Sequence, residues 1–498
     1  MAGRNGDTSG AGGDSTEGRA GGDGPAGETP LGWGAGDEMN AFETVMWRAE
    51  ADRTLRSPVV GLEELDTVPD WDRFLAAHEW AVRMAPRFRQ RVVEAPLGLA
   101  APRWTDDPDF DLGFHVRRAN LPAGGGWPAL LEAAAQVAMT PFDRTRPPWE
   151  AVLYEGLPGG RGAYLLKLHH SASDGMGVMQ LLGQLHSKTR EPNPDKPQPA
   201  PRPPTSISPL DTLVHQVRND AKAVPEVLRE VGSGAVKALG DPGGTLRSAQ
   251  RYGQSLRRVL TPPAAEGSPL LAKRSLTWRF AALDVPFADL KAAGRSVGGS
   301  VNDSYLAALL GGYRLYHEAM GVPVAKIPIA IPISVRKPGD SEGGNKIASA
   351  RLSAPVGTVD PGARIEEVRS LVLTARGEPA INTIGLMSPV LARLPGSVIA
   401  QLAGPMTKGN DLQASNVPGI RGELFLAGAR IERMYPYAPL PGCAAMITLV
   451  SHGEVGCVGV NFDAASFTDP ELFVQCLLDG FSEVLALKPG AGSPLARL

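Results

Sequence analysis

Between Ser187 and Pro209 the chain carries Pro192, Pro194, Pro197, Pro199, Pro201, Pro203, Pro204 and Pro209. Proline fixes φ and removes a backbone donor, so such a run builds neither a helix interior nor a central strand. It reads as a stiff polyproline-type linker. The 498 residues also exceed what one ordinary hydrophobic core supports. The expected organisation is therefore a domain over 39–186, a linker and helical crossover over 187–273, and a second domain over 274–490. Leu213, Val217, Val224 and Val227 are candidate contacts of the crossover. Residues 1–38 are rich in Gly, Asp and Ser, have almost nothing to bury and are expected to be disordered. That tail lacks the apolar core of a signal peptide.

The chemistry concentrates in Gly162 to Leu182, GAYLLKLHHSASDGMGVMQLL. Ala163 to Leu168 is a short apolar run with one lysine, which suits a mostly buried strand. The strand runs into His169 and His170; Asp174-Gly175 then marks a turn, and Met176, Met179 and Leu182 open a helix. Successive strand residues face opposite ways, so only one of the two histidines can point into a given site. A neutral imidazole, with an unperturbed pKa of about 6.5, is a suitable general base. Taken separately, the two pairs fit a packed histidine pair and a turn aspartate equally well. The chain has neither HExxH nor CxxC, and its other histidines are scattered, so no metal-ligand set is expected.

The complete string His169-His170-Ser171-Ala172-Ser173-Asp174-Gly175 resembles the HHxxxDG motif of the CoA-dependent acyltransferase superfamily. Further blocks narrow the resemblance to the bacterial wax ester synthase/diacylglycerol acyltransferases. Pro86 to Arg91, the strand around Trp104 and Phe110 to Arg118 resemble actinobacterial members of that family. Pro147-Pro148-Trp149 stands where the family shows Pro-Leu-Trp, and the extra proline requires a strand start or edge there. Asn302-Asp303 matches an Asn-Asp motif, Ser334 to Arg336 and Gly344-Asn345 match two further blocks, and Ser415 to Gly419 another. Read without the family, Ser300 and Asp303 form a capping-box-like start to a helix.

Spacing alone indicates two α/β halves. The resemblance implies two chloramphenicol-acetyltransferase-like α/β domains with mixed sheets flanked by helices and an active site in a channel at their interface. It implies His170 as general base and Asn302 as a donor to the developing oxyanion. His169, Asp174, Gly175 and Asp303 then support the motif, and Pro147 and Trp149 are structural. Asp174 would hold the loop, with an arginine as ion-pair partner. The implied reaction moves a long-chain acyl group from acyl-CoA, a co-substrate and not a resident cofactor, to diacylglycerol or a long-chain alcohol. A cytoplasmic protein bound peripherally to a membrane or lipid droplet is expected. Two alternatives stay open: a condensation-type or polyketide-associated acyltransferase with a carrier-bound donor, and a catalytically silent lipid-droplet homologue.

Composition sets the outer limits. A net charge of −3 argues against a nucleic-acid binder that works by bulk positive charge. Cys443, Cys457 and Cys476 are odd in number, which suggests reduced thiols. The basic stretch Pro86 to Arg91 reads either as a solvated strand edge or as a phosphate contact for CoA. His115 is expected to be structural.

Overall fold

The computed structural model describes residues 36–196, 198–199, 204–219, 265–334, 347–377 and 394–497. Two mixed sheets organise them. The first runs Phe425–Leu426, Ala429–Tyr437, Pro58–Leu65, Arg161–His169, Trp149–Leu157, Val116–Asn120. The second runs Leu495–Arg497, Trp278–Pro286, Val455–Asp463, Ala445–His452, Leu412–Val417, Lys326–Ser334, Ile347–Pro355. Each sheet mixes parallel and antiparallel neighbours.

The first sheet is not made from the N-terminal half alone. The chain completes Leu412–Val417 in the second sheet, crosses to lay down Phe425–Leu426 and Ala429–Tyr437 in the first, and returns for Ala445–His452. Ala429–Tyr437 pairs antiparallel with Pro58–Leu65, Val60 opposite Tyr437 and Leu62 opposite Tyr435. Leu495–Arg497 closes an edge of the second sheet against Trp278–Pro286.

A shared apolar core holds the two sheets together. Leu130, Leu131 and Ala134 of the helix Gly126–Met139 pack in one cluster with Val60 and Leu62 from the first sheet and Phe280 and Met446 from the second. The Phe280 and Tyr437 rings stack at 4.0 Å. Beside them the buried carboxylate of Asp284 accepts from Tyr435 Oη (2.6 Å), Arg433 Nε (3.0 Å) and Arg497 Nη2 (2.9 Å), joining the second sheet to the crossover strand and the C-terminal strand. The other face of the second sheet is covered by the helices Phe287–Ser296, Val301–Ala319, Pro361–Arg376 and Pro470–Leu485. On the first sheet, Trp71–Met84 and Gly175–Leu185 enclose a core with Trp149, Leu166 and Leu168.

Three local features take shape only on folding. In the helix Ala41–Ala49 the buried face carries Glu43, Thr44, Trp47 and Arg48, whereas Phe42, Val45 and Met46 are half-buried. The polar side chains can go inside because they are paired there, Arg48 with Glu94 and with the carbonyls of Gly98 and Ala100. Pro86–Arg89 is a 3₁₀ turn before the strand Gln90–Val93, not a solvated edge. Its Arg87 is buried over the Trp104 ring at 4.2 Å and donates to Gly36 O. Ser415 to Val417 belong to a strand, which ends at Val417. Of the crossover contacts, Val224 and Val227 lie outside the described residues, as do Val335, Arg336, Gly344 and Asn345 of the family-like blocks. The three cysteines are free and buried, and burial pushes the thiols of Cys443 and Cys457 up to about 12.

Gly459 marks a close approach of the two sheets, since a Cβ there would sit 1.9 Å from Pro436 O of the crossover strand. Backbone cannot yield as a flexible side chain can, and overpacking of this kind costs about 1–3 kcal/mol or more. Gly459→Ala is therefore expected to lower the melting temperature by several degrees in a thermal scan.

Candidate active site

The histidine motif sits at the end of the strand Arg161–His169, between Pro58–Leu65 and Trp149–Leu157. Pairing stops where Pro58 faces His169, and there the chain turns. The His170 amide donates to Ser57 O at 2.8 Å and the Ala172 amide to His169 O at 2.9 Å. That turn separates the neighbouring histidines. His169 is fully buried and His170 is half-buried at the loop, so their environments differ as much as their direction.

His169 is held from both ring nitrogens. Its Nδ1 lies 3.1 Å from the Ser171 amide and 2.7 Å from Ser171 Oγ, and its Nε2 lies 3.0 Å from Glu50 Oε1. Trp47 meets the ring edge-on at 4.9 Å and Phe142 at 5.9 Å. Glu50 also accepts from the Ser57 amide at 2.9 Å and lies 3.5 Å from Arg144. Burial alone would raise the Glu50 carboxyl, but His169, the Ser57 amide and Arg144 outweigh it and bring it down to about 2. Glu50 was not among the residues singled out from the sequence. It lies 119 positions before His169, and nothing local distinguishes it from a surface glutamate.

Asp174 is the N-cap of the helix Gly175–Leu185, its buried Oδ1 accepting from the Gly177 amide at 2.8 Å. Gly175 lies at the junction of the sheets: a Cβ there would be 3.1 Å from Val417 Cγ2, on the last residue of a second-sheet strand. A side chain at this position would require Val417 or the motif loop to give way by a few tenths of an ångström.

Pro147 and Trp149 support the motif strand from the side. The Pro147 carbonyl accepts from the Trp149 amide, and the Pro148 carbonyl accepts from the His169 amide at 3.0 Å. Pro148 thus sits where proline is tolerated, immediately before the strand Trp149–Leu157. Trp149 is buried, donates Nε1–H to Phe88 O at 2.7 Å and stacks on His115 at 4.6 Å. His115 Nδ1 lies 2.8 Å from Trp149 O, and Phe110 covers its other face. The motif strand is further fixed by Lys167, whose buried Nζ donates to Thr140 O and pairs with Glu150.

Asn302 and Asp303 begin the helix Val301–Ala319, capped by Ser300. Asp303 Oδ2 accepts from the Ser300 amide and hydroxyl, each at 2.8 Å, and lies 3.5 Å from Arg369, so its carboxylate serves the cap. Tyr305 of this helix donates to Ile447 O and Tyr313 to Asp411 O. Ile447 pairs with Ala414, so the helix runs antiparallel to Leu412–Val417. Its N-terminus therefore lies toward the Val417 end of that strand, the end that meets Gly175. Half-buried Asn302 is thus at the Val417 end of the second sheet, in the helix layer on its other face.

A cavity of about 40 Å³ lies behind the motif strand, lined by His78, Phe88, Trp149, Tyr164, Leu182 and His186. It has room for water but not for an acyl chain, and it does not reach His170. Burial lowers His78 to about 4, whereas Glu63, 3.1 Å away, outweighs burial and raises His186. Among the described residues, no group of three or more His, Cys, Asp or Glu side chains could hold a metal ion. None of their helices is long and apolar enough to cross a membrane.

Residues 37–305 match the wax ester synthase/diacylglycerol acyltransferase catalytic domain, and residues 343–484 match the C-terminal domain of the same proteins. The chain belongs to the wax ester synthase/diacylglycerol acyltransferase family. It is 43% identical over 477 residues, 95% of each chain, to a putative diacylglycerol O-acyltransferase of Mycobacterium tuberculosis. A second protein of that name and species is 30% identical over 448 residues, covering 86% of this chain and 92% of its own. Among solved structures, the wax ester synthase/diacylglycerol acyltransferase of Marinobacter aquaeolei VT8 superposes with a TM-score of 0.60 at 22% identity, covering 90% of this chain and 98% of its own. The first condensation domain of the CDA synthetase superposes at 0.54 with 17% identity, covering 92% and 97%. These likenesses show the expected two-domain α/β fold, and family membership makes the chain an acyltransferase.

Removing the Asp174 cap should cost about 1 kcal/mol, typical of N-cap loss. Asp174→Ala is therefore expected to melt at a lower temperature than wild type. Asp174→Asn separates cap from charge, because Asn caps as well as Asp. A variant as unstable as Ala would assign the larger part to the carboxylate's charge.

Proposed function

We propose that the protein transfers a long-chain acyl group from acyl-CoA to the hydroxyl of diacylglycerol or a long-chain alcohol, with His170 as the general base. The observation that carries this reading is the division between the two histidines. His169 is enclosed and hydrogen-bonded through both nitrogens, while His170 stands half-buried at the loop, on a backbone fixed by Ser57. His170 takes the proton of the acceptor hydroxyl as its oxygen attacks the thioester carbonyl. The tetrahedral intermediate collapses, the carbon–sulfur bond breaks, and His170 returns the proton to the departing CoA thiolate. Ester and free CoA result, with no acyl-enzyme.

Negative charge develops on the thioester oxygen, and Asn302 is the donor we assign to it. Its place in the first turn of a helix whose N-terminus lies toward the Val417 end of the strand that meets Gly175 supports this, because exposed amides and the helix dipole favour an anion there. Both substrates would approach along the interface of the two sheets. An acyl chain and a diacylglycerol are sparingly soluble, so we assign the enzyme a peripheral position on a membrane or lipid droplet facing the cytoplasm, where acyl-CoA is available.

The test is thiol release from palmitoyl-CoA, with hexadecanol and dioleoylglycerol offered in parallel. Wild-type protein should release CoA with at least one acceptor. His170→Ala should lose about 10²–10⁴-fold, the usual contribution of a general base, while melting like wild type. Asn302→Ala should lose about 10²–10³-fold. Wild-type turnover in a folded His170→Ala protein would overturn the mechanism. Activity only with a carrier-bound acyl donor would favour the condensation-type reading, and silence with every donor the non-catalytic one.

A further inference from the structure

We propose that Glu50 is a positioning residue of the acyl transfer, one carboxylate that fixes His169 and the backbone support of His170 together. Glu50 Oε1 accepts from His169 Nε2 (3.0 Å) and from the Ser57 amide (2.9 Å), and the Ser57 carbonyl accepts from the His170 amide (2.8 Å). The last residue of the motif strand and the first residue of its loop are thus tied to the same side chain, delivered from just beyond the helix Ala41–Ala49.

The hydrogen bonds also set the state of the His169 ring. The Ser171 backbone N–H, which can only donate, points at Nδ1 from 3.1 Å, so Nδ1 is the unprotonated nitrogen. Nε2 carries the hydrogen and donates it to Glu50. The carboxylate's negative charge is partly offset by Arg144 at 3.5 Å. Lys167 of the motif strand also senses it, and is itself paired with Glu150. A negative charge behind the motif favours the imidazolium that His170 becomes when it takes the acceptor's proton. Glu50 acts through its neighbours and touches no reacting atom.

This inference rests on His170 being the base, and the experiment separates the two. Wild type, Glu50→Gln, Glu50→Asp and His170→Ala are compared by acyl-CoA turnover across pH. In the first three, the modification of His170 by diethyl pyrocarbonate, which attacks neutral imidazole, is followed across pH by peptide mass spectrometry. Glu50→Gln removes the charge and should shift the His170 midpoint, and the acid limb of kcat/KM with it, down by about half to one pH unit. Its kcat should fall roughly ten- to hundredfold, as misplaced catalytic groups do, with KM for acyl-CoA within about twofold. Glu50→Asp keeps the charge and should leave the midpoint at the wild-type value; if Glu50→Gln does not fold, an Asp variant whose midpoint falls overturns the proposal. Turnover surviving in His170→Ala would sink the base assignment and this inference with it. An inactive His170→Ala beside a Glu50→Gln protein with wild-type midpoint and kcat would sink this inference alone.

Discussion

The pairing of Ala429–Tyr437 with Pro58–Leu65 is the constraint on which the rest of this molecule depends. The strand Pro58–Leu65 is the direct neighbour of the histidine-bearing strand on its other side, so a segment from the C-terminal half helps hold the motif in register. The same hairpin carries Arg433 and Tyr435 to Asp284, and Tyr437 to Phe280, which locks the second sheet against the first. Apolar burial supplies most of the attraction between the sheets. The buried Asp284 cluster adds direction, because its carboxylate is satisfied only when three separate segments meet.

The histidine-motif loop inherits this rigidity. It leaves the sheet where pairing ends, is capped into a helix by Asp174, and abuts the second sheet through Gly175 and Val417. The histidine motif occupies a short irregular segment, but every flank of that segment is regular structure. The different surroundings of His169 and His170 follow from a single turn at a strand end. One ring goes into the protein among Trp47, Phe142 and Glu50, and the next stays at the surface of the loop.

Features coded by neighbouring residues were legible in the sequence. The motif strand, the helix that follows Asp174 and the Ser300 to Asp303 capping box carry local signals and form as their residues suggest, although the turn falls at His170 to Ala172 and Asp174-Gly175 caps and opens the helix instead. Family resemblance added the two-domain fold. What stayed hidden depends on partners distant in sequence. Arg48 and Arg87 look solvated until Glu94, the loop carbonyls and Trp104 are brought to them. Glu50 looks ordinary until His169 and Ser57 meet it. The crossing of Ala429–Tyr437 into the first sheet has no signature at all, because alternation reveals a strand but not the sheet it will join.

That crossing also bears on how the protein comes into being. Val60 and its partner Tyr437 are 377 positions apart. At about 5–20 residues per second, a ribosome needs roughly 20–75 s to deliver the second after the first. For that interval the strand beside the histidine motif has one edge with no partner from its own chain, the kind of surface that recruits other strands. The N-terminal half therefore cannot complete its sheet ahead of the rest, and that edge stays open until the later strand arrives.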